Sequence, residues 1–302
     1  MKLIRRVLGL IKRRLLFDPV RLNSLERKVD SLIELVKATT DIKSVPKVNG
    51  IRRLSQLANA VFLRKVVEVL DREGIRYWIV GGTLLGAFRH GGSVPWDDDV
   101  DIAVLRADHN RLVPILKKAF ASMPNFIAVK SDTMRVMLTD SSCQVDIFAF
   151  DEYTVSPEAV RRLKDEYWEV HKKIKTDFSR LSARERTIVD FSDEEILAMQ
   201  QNLAGRFSGA RHVLMPGIEA STSRPLMWDW DWIFPLKKIQ YEGMEFSCPN
   251  KVEYVLFDNY GDFMAFPRNM EAHSDIESRL TLDAYQKFEK ILADNNVSVG
   301  GG

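Results

Sequence analysis

A glycine pair that precedes a dense run of aspartates constrains the fold of this chain more than any other feature. Gly81-Gly82 follows a short apolar run that ends at Val80, and a glycine-containing loop then leads to the acids. These acids are Asp97, Asp98, Asp99 and Asp101. Like charges at this density repel one another, and a stable fold tolerates them most easily if a cation lies among them.

The last two of these aspartates lie in a stretch, Asp99 to Leu105, whose alternation is typical of a β-strand. Alternate side chains of a strand share a face. Asp99 and Asp101 are therefore expected to point the same way, while Val100 and Ile102 face the core. Two such carboxylates can hold Mg²⁺ or Mn²⁺ and leave coordination positions for phosphate oxygens.

A second acid-bearing strand is predicted over residues 144–150, with Asp146 on the face opposite its apolar side chains. If this strand lies beside the first one, three carboxylates converge. We therefore predict that Asp99, Asp101 and Asp146 are the catalytic and metal-binding residues. Asp146 either completes a second metal site or accepts the proton of an attacking hydroxyl.

A glycine turn, an Asp-x-Asp strand and a lone aspartate on a later strand form the arrangement of the nucleotidyltransferase fold. The glycines let backbone N–H groups approach a phosphate at the start of the following helix. The rest of the chain alternates helical and strand patterns, including a hairpin around Glu242-Gly243. The predicted fold class is α+β: a nucleotidyltransferase-like mixed sheet flanked by helices, with an N-terminal helical and coiled-coil extension.

The run GGTLLGAFRHGG from Gly81, followed by PWDDDVDI from Pro95, resembles the LicD family. That family includes bacterial phosphocholine transferases and is related to fukutin-related protein. A second similar block contains FP at Phe234, CPN at Cys248 and YGD at Tyr260. The resemblance implies metal-dependent transfer of a phospho-alcohol, such as phosphocholine or a polyol phosphate, from a CDP-linked donor. The acceptor would be a hydroxyl of a cell-surface glycan or its lipid-linked precursor, and CMP would be released.

Substrate-binding residues are predicted around the same block. The glycine turn and the helix start after it would approach a phosphate, and basic side chains nearby would clamp one. His90 is expected either to bind a phosphate or to stabilise the loop. Arg135 is expected to pair either with the acids or with a phosphate. The full predicted set is Gly81, Gly82, Thr83, Arg89, His90 and Arg135.

Composition sets wider limits on function. The formal net charge of 302 residues is only +2, so we expect no nucleic-acid partner. Apolar residues make up 45% and charged residues 28% of the chain, as in ordinary globular domains. Cys143 and Cys248 are far apart in sequence and are expected to be reduced thiols in a cytoplasmic protein.

The N-terminal region carries a separate message. Residues 1–20 read as a basic amphipathic helix, which either lies on the inner face of a membrane or packs against protein. Residues 21–38 carry a short heptad seam, which predicts either self-association or packing on the catalytic domain. A linker is expected over 39–50 and the catalytic domain over 51–295.

Three other functions remain open from the residues alone. A glycosyltransferase can use an Asp-x-Asp metal site to hold a nucleotide sugar, and a nucleotidyltransferase can move NMP from NTP. The third is a calcium-binding or coiled-coil scaffold. Ile102 stands where a calcium loop needs glycine, which argues against the calcium-binding form.

Overall fold

A computed structural model describes residues 19–123, 125–130, 133–139, 143–179, 193–220, 222–267 and 282–297. The chain divides into two compact units. One contains residues up to Val45 together with 264–268, and the other contains Pro46–Phe263 and the residues from 269 onward.

The first unit contains helix α1 (Pro19–Thr39) and the 3-10 turn Ile42–Ser44. The heptad side chains Leu25, Val29 and Leu32 are about half exposed or more on α1. Self-association through this seam therefore stays a prediction. The amphipathic helix predicted over residues 1–20 lies almost wholly outside the described residues. None of the helices in the described part of the chain has the length and apolar content of a membrane span.

The second unit begins with helix α2 (Gly50–Arg72), whose buried apolar face forms much of the core. Its remaining helices and strands follow in chain order. They are β1 (Tyr77–Ile79), α3 (Gly81–His90), β2 (Asp101–Leu105), α4 (Arg106–His109), α5 (Leu112–Ala119), β3 (Phe126–Lys130), β4 (Met134–Leu138), β5 (Cys143–Val155), α6 (Val160–Ser179), α7 (Asp193–Ala204), β6 (Arg211–Pro216), β7 (Trp228–Asp229), α8 (Trp230–Ile233), β8 (Lys237–Tyr241), β9 (Met244–Cys248), α9 (Val252–Tyr260) and α10 (Leu282–Asp294).

Seven of the described strands form one mixed sheet, in the order β1-β2-β5-β4-β3, with β6 on β5 and β7 on β6. Strands β2 and β5 are parallel, and the other pairs are antiparallel. The pair β8–β9 forms a separate hairpin whose turn is Glu242-Gly243, as expected, with φ of 51° and 77°. Such positive φ values at both turn residues suit the tight turns of hairpins. The predicted α+β class with a mixed sheet flanked by helices is confirmed.

Strand β5 is the longest strand and belongs to two parts of the sheet. Its first residues pair with β2 and β4, whereas residues from Phe150 to Val155 pair with β6. Two apolar clusters follow this division: the large core under α2, and a second one around Tyr153 and Tyr167. The same strand therefore supports two differently built regions.

One boundary expectation is corrected. The acid strand was expected to begin at Asp99, but β2 begins at Asp101, and Asp99 lies in the preceding extended segment. The backbone nevertheless begins to pair one residue earlier, because Asp146 N–H donates to Val100 O at 2.9 Å. Val100 is buried, as its place in the alternation predicts.

Candidate active site

The glycine pair forms the junction between β1 and α3. Gly81 has φ of 57°, a left-handed conformation that glycine adopts without strain. A Cβ on Gly81 would lie 2.6 Å from Oδ2 of Asp101, and one on Gly82 would collide with Oδ2 of Asp97. The N-terminus of α3 is therefore packed closely against two carboxylates, and a side chain at either glycine would displace them.

Strands β2 and β5 bring the predicted acids together. Asp101 and Asp146 are direct neighbours in the parallel register. Ligand oxygens of Asp99, Asp101 and Asp146 all lie within 4.8 Å of one another, and the same holds for Asp97, Asp98 and Asp99. Asp99 belongs to both groups, so the five residues form one continuous acid cluster.

The electrostatics of this cluster favour a bound cation. Burial raises the pKa of Asp101 well above its ordinary value, and the charges of Asp99, Asp97 and Asp146 raise it further. Burial and the neighbouring Asp99 and Asp98 likewise raise the pKa of Asp97. Ionised carboxylates in this setting repel one another unless a positive charge lies among them. Oxygen donors so arranged match the preference of Mg²⁺ and Mn²⁺.

Arg135 is the one predicted basic residue that joins the acid cluster directly. Its Nε and Nη2 donate to the two oxygens of Asp146 at 2.7 and 2.6 Å. Residue Arg135 on β4 lies opposite Asp146 on β5 in the antiparallel register. The pairing holds the Asp146 carboxylate in a fixed orientation. Of the two interpretations offered for Arg135, the structure shows the pairing with an acid.

Two amide side chains of α2 bind backbone carbonyl groups of the acid-bearing loop. The sequence analysis did not identify these two residues. Gln56 Nε2 donates to the carbonyl oxygen of Asp97 at 2.9 Å, and Asn59 Nδ2 donates to that of Asp98 at 2.9 Å. Asn59 Oδ1 also accepts from Gln144 N–H, which links the loop to β5. Both side chains are almost fully buried. The available signal was the presence of two amides in an otherwise apolar helical face.

Thr83 has a structural task as well. Its Oγ1 accepts a hydrogen bond of 2.7 Å from the backbone N–H of Asp101. This contact fixes the start of β2 against the first turn of α3. Thr83 therefore positions Asp101, while its O–H remains able to donate a hydrogen bond.

Glu242, in the turn of the β8–β9 hairpin, anchors the loop between α3 and the acids. Its carboxylate accepts hydrogen bonds from Arg53, Lys47 and the backbone N–H of Ser93 at distances from 2.6 to 2.9 Å. Burial alone would raise the pKa of Glu242, but these donors outweigh it and hold the pKa at about 2. An ion-pair network therefore holds the loop in place, and no local sequence pattern predicts it.

Arg89 and His90 lie at the far end of α3, about 12 Å along the helix from Gly81. Arg89 is buried, its Nη1 donates to Phe263 O at 3.0 Å, and its guanidinium lies over the Trp96 ring. Its Nε and Nη2 have no hydrogen-bond partner within the described residues. Burial lowers the pKa of Arg89, which indicates a cation with incomplete compensation.

No hydrogen bond joins His90 to the acids within the described residues. Neither of its ring nitrogens has a hydrogen-bond partner among the residues that the structure describes. Burial, then the charges of Arg89 and Lys47, lower the pKa of His90 to about 4. His90 is therefore a neutral imidazole near pH 7.

Tyr260, at the end of α9, adds an aromatic hydroxyl near the cluster. Burial of that hydroxyl, followed by the charges of Asp101 and Asp97, raises the pKa of Tyr260. The residue as a whole is 43% exposed, so part of its ring faces outward. The last residue of α9 therefore lies within the electrostatic range of the acid cluster.

Comparison with known proteins agrees with this geometry. Residues 74–201 match a family described as "LicD/FKTN/FKRP, nucleotidyltransferase domain". The matched segment contains the glycine pair, the acid cluster, Asp146 and Arg135. The resemblance to the LicD family is thereby confirmed.

Individual relatives support the same family. The lipopolysaccharide cholinephosphotransferase LicD of Haemophilus influenzae is 26% identical over 234 residues, which cover 65% of this chain and 85% of the relative. The human ribitol 5-phosphate transferase FKRP is 38% identical over 94 residues, 29% of this chain. Those residues amount to only 19% of FKRP, so the chain spans about a fifth of that relative.

Proposed function

We propose that this chain, whose residues 74–201 form a LicD-family nucleotidyltransferase domain, transfers a phospho-alcohol from a CDP-linked donor to a hydroxyl of a glycan or its lipid-linked precursor. The observation that carries the proposal is the acid cluster of Asp99, Asp101 and Asp146 beside the glycine-lined start of α3. Two relatives, named as a cholinephosphotransferase and a ribitol 5-phosphate transferase, support the reaction class.

The proposed metal ligands are Asp99, Asp101 and Asp146. A divalent cation such as Mg²⁺ or Mn²⁺ would supply charge neutralisation and orientation of the donor diphosphate. The close approach of Gly81 and Gly82 to the carboxylates supports this assignment, since backbone N–H groups then face the same space. The raised pKa values of Asp97 and Asp101 support it independently.

Arg89 is the proposed partner of a donor phosphate. A buried guanidinium with two open N–H directions is costly, and an anion between them would remove that cost. Its position over Trp96, which directly precedes Asp97, brings the cation toward the acid-bearing loop. We assign His90 no direct role in binding charge, because a neutral ring adds little attraction for phosphate.

The proposed chemistry forms one bond and breaks one. The acceptor hydroxyl oxygen attacks the phosphorus that carries the alcohol, the bond from that phosphorus to the oxygen of CMP breaks, and CMP leaves. The hydroxyl proton passes to a carboxylate of the cluster. Arg135 already donates to both oxygens of Asp146, so part of their capacity to accept a proton is occupied, and Asp146 suits the role of a ligand better than that of the base.

The test is an assay of CMP release from CDP-choline, CDP-ribitol and CDP-glycerol, with Mg²⁺, with Mn²⁺ and with EDTA. We expect CMP from one of these donors, in a metal-dependent reaction that Asp101→Asn abolishes. UDP-sugars and NTPs form the comparison set. Turnover of a UDP-sugar alone would identify a glycosyltransferase, and pyrophosphate release from NTP would identify NMP transfer.

The location of the enzyme is part of the proposal. A basic amphipathic segment at residues 1–20 would hold the catalytic unit at the cytoplasmic surface of a membrane, near a lipid-linked acceptor. Sedimentation with vesicles of anionic phospholipid tests it. Removal of residues 1–20 should abolish co-sedimentation, and unchanged co-sedimentation would contradict this placement.

A further inference from the structure

A surface pocket of about 430 Å³ lies beside the catalytic helix and outside the acid cluster. It is lined by Phe88 of α3, by Lys237 and Lys238 of β8, and by Lys251 and Tyr254 at the start of α9. The pocket therefore combines basic side chains with aromatic ones. Neither the acid cluster nor the proposed donor contacts use these residues.

The charge of the pocket is positive. Lys237 and Lys238 form no ion pair with any carboxylate within the described residues, and Lys238 Nζ donates only to Ser247 Oγ, at 3.2 Å. Lys251 pairs with Asp231 at 2.6 Å, and Glu253 is the one acid that lines the pocket. The two lysines follow one another on β8, so their side chains leave the strand in opposite directions; both residues line the pocket, and both charges act on an anion held there. No side chain caps the start of α9, so its backbone N–H groups add to the positive potential there.

Aromatic side chains continue from the pocket along α9. Tyr254 is 58% exposed and Phe257 is 66% exposed, so both present aromatic surface to solvent. Together with Tyr260 they recur every three residues on one side of the helix. Exposed aromatic faces of this kind suit the apolar faces of sugar rings, whose hydroxyls stay in water.

Helix α9 connects this pocket to the acid cluster. Tyr254 lines the pocket, and Tyr260 lies about 9 Å further along the helix, where the charges of Asp101 and Asp97 act on its hydroxyl and raise its pKa. Phe88 of the pocket precedes Arg89 directly and packs edge-on against Phe263, whose carbonyl accepts from Arg89. A ligand in the pocket would therefore lie close to the proposed reaction centre without occupying it.

We propose that this pocket binds an anionic group of the acceptor glycan, a phosphate or carboxylate carried on a sugar, while the aromatic side chains of α9 support the sugar rings that lead to the reacting hydroxyl. This inference rests on the proposed function, because it names the chemical class of that acceptor. The acceptor would be a charged oligosaccharide rather than a neutral one, with its charge one or more sugars away from the reacting hydroxyl.

The test uses binding and needs no turnover. Glucosamine 6-phosphate, N-acetylglucosamine 6-phosphate and neutral N-acetylglucosamine serve as probes, and their affinities are measured by calorimetry or ligand-observed NMR on the full chain. We expect the phosphorylated sugars to bind and the neutral sugar to bind much more weakly. The double variant K237Q/K238Q should weaken phosphosugar binding on the order of tenfold.

A matched control is available on α5. Lys117 and Lys118 are adjacent and exposed, so K117Q/K118Q removes the same charge elsewhere on the surface. It should leave the affinity unchanged. Tyr254→Ala should weaken every sugar probe while leaving the affinity for inorganic phosphate as it was. Equal binding of charged and neutral sugars, an unchanged affinity in K237Q/K238Q, or phosphate binding as tight as phosphosugar binding would each overturn the inference.

Failure of this inference can be told apart from failure of the proposed function. CMP release from CDP-alcohols tests the donor side and depends on the acid cluster, which K237Q/K238Q leaves intact. A chain that releases CMP but ignores charged sugars keeps the proposed function and loses the anionic acceptor. A chain that binds charged sugars through Lys237 and Lys238 but releases no CMP loses the proposed function instead.

Discussion

A charged cluster lies at each end of the region where β2 pairs with β5, and the two clusters are built on opposite principles. Asp101 and Asp146 are neighbours at one end of that pairing. Just beyond its other end stand Arg106, the first residue of α4, and Asp151, within β5. Arg106 donates to Asp151 at 2.7 Å and to Glu219 at 2.5 and 2.6 Å, in full burial. At that end an internal cation satisfies the acids.

The acid cluster is built differently. Arg135 donates to Asp146, but its side chain is 43% exposed. Although the charge of Arg135 acts against the shift at Asp101, burial and neighbouring acids still raise the pKa values of Asp97 and Asp101 well above the ordinary value. The comparison teaches that burial of acids does not itself mark a site for chemistry. An acid cluster completed by its own arginine stabilises the fold, and one left incomplete requires a ligand.

The largest effect is expected from Asp101→Asn. Turnover should fall on the order of 10³-fold or more, because the substitution removes a charge needed at the reacting phosphate. Thermal stability should stay equal or rise, since repulsion with Asp97 and Asp99 is relieved. Differential scanning fluorimetry and the CMP assay measure both, with the exposed Asp71→Asn as control. An inactive variant that has also lost several degrees of melting temperature would contradict the interpretation.

Arg106→Met, in contrast to Asp101→Asn, should lower the stability of the protein. It leaves Asp151 and Glu219 buried without their cation and should reduce the free energy of unfolding by about 3 to 5 kcal/mol. The same substitution at Arg135, which is partly exposed, should reduce it by about 1 kcal/mol or less. Urea denaturation of both variants checks the contrast. Equal losses would show that the two ends of the strands do not differ as argued.

Glu242 should make stability depend on acid pH. Its folded pKa of about 2 lies below the ordinary 4.5, so its contribution is fully present above pH 4.5 and is lost as pH falls toward 2. The whole contribution amounts to at most about 3 kcal/mol. Glu242→Gln should lower stability at pH 7 and flatten the curve over that window. Chemical denaturation at several pH values measures it, and an unchanged slope would refute the assignment.

The smallest effect is expected from the metal itself. At about ten times its dissociation constant, Mg²⁺ or Mn²⁺ should stabilise the wild-type protein by about 1.4 kcal/mol. Asp101→Asn should lose most of this gain, whereas Arg106→Lys, at the compensated end, should retain it. Thermal shifts in a metal titration provide the measurement. Equal shifts in wild type and Asp101→Asn would place the cation somewhere else.

Much of the acid cluster could be predicted from sequence, because its residues lie on short apolar runs with local periodicity. Asp101 and Asp146 follow from strand alternation, and their convergence follows once the two strands are neighbours. The first residue of β2 could not be predicted from the sequence. Asp99 continues the alternation of apolar and polar residues, but it lies outside the hydrogen-bonded strand. Periodicity indicates which face a side chain occupies and leaves the end of the hydrogen-bond ladder open.

The supporting contacts could not be predicted because they join distant segments. Glu242 meets Arg53 across 189 positions, and Arg106 meets Glu219 across 113. A lone glutamate in a hairpin turn carries no signal for such a partner. Glu219 had no assigned role in the sequence, although it completes the most deeply buried ion pairs described. The surface pocket that Lys237 and Lys238 line likewise forms only when β8 and the start of α9 are brought together.

Helix α3 limits how far chains of this fold can vary in length. Its first residues, Gly81 and Gly82, pack against the acids. At its other end Phe88 lines the pocket and Arg89 donates to Phe263. One inserted residue would rotate the far end by about 100° and advance it by about 1.5 Å. Substitutions along α3 can therefore accumulate, while insertions and deletions should be eliminated, so relatives with different substrates should keep a helix of the same length between these two points.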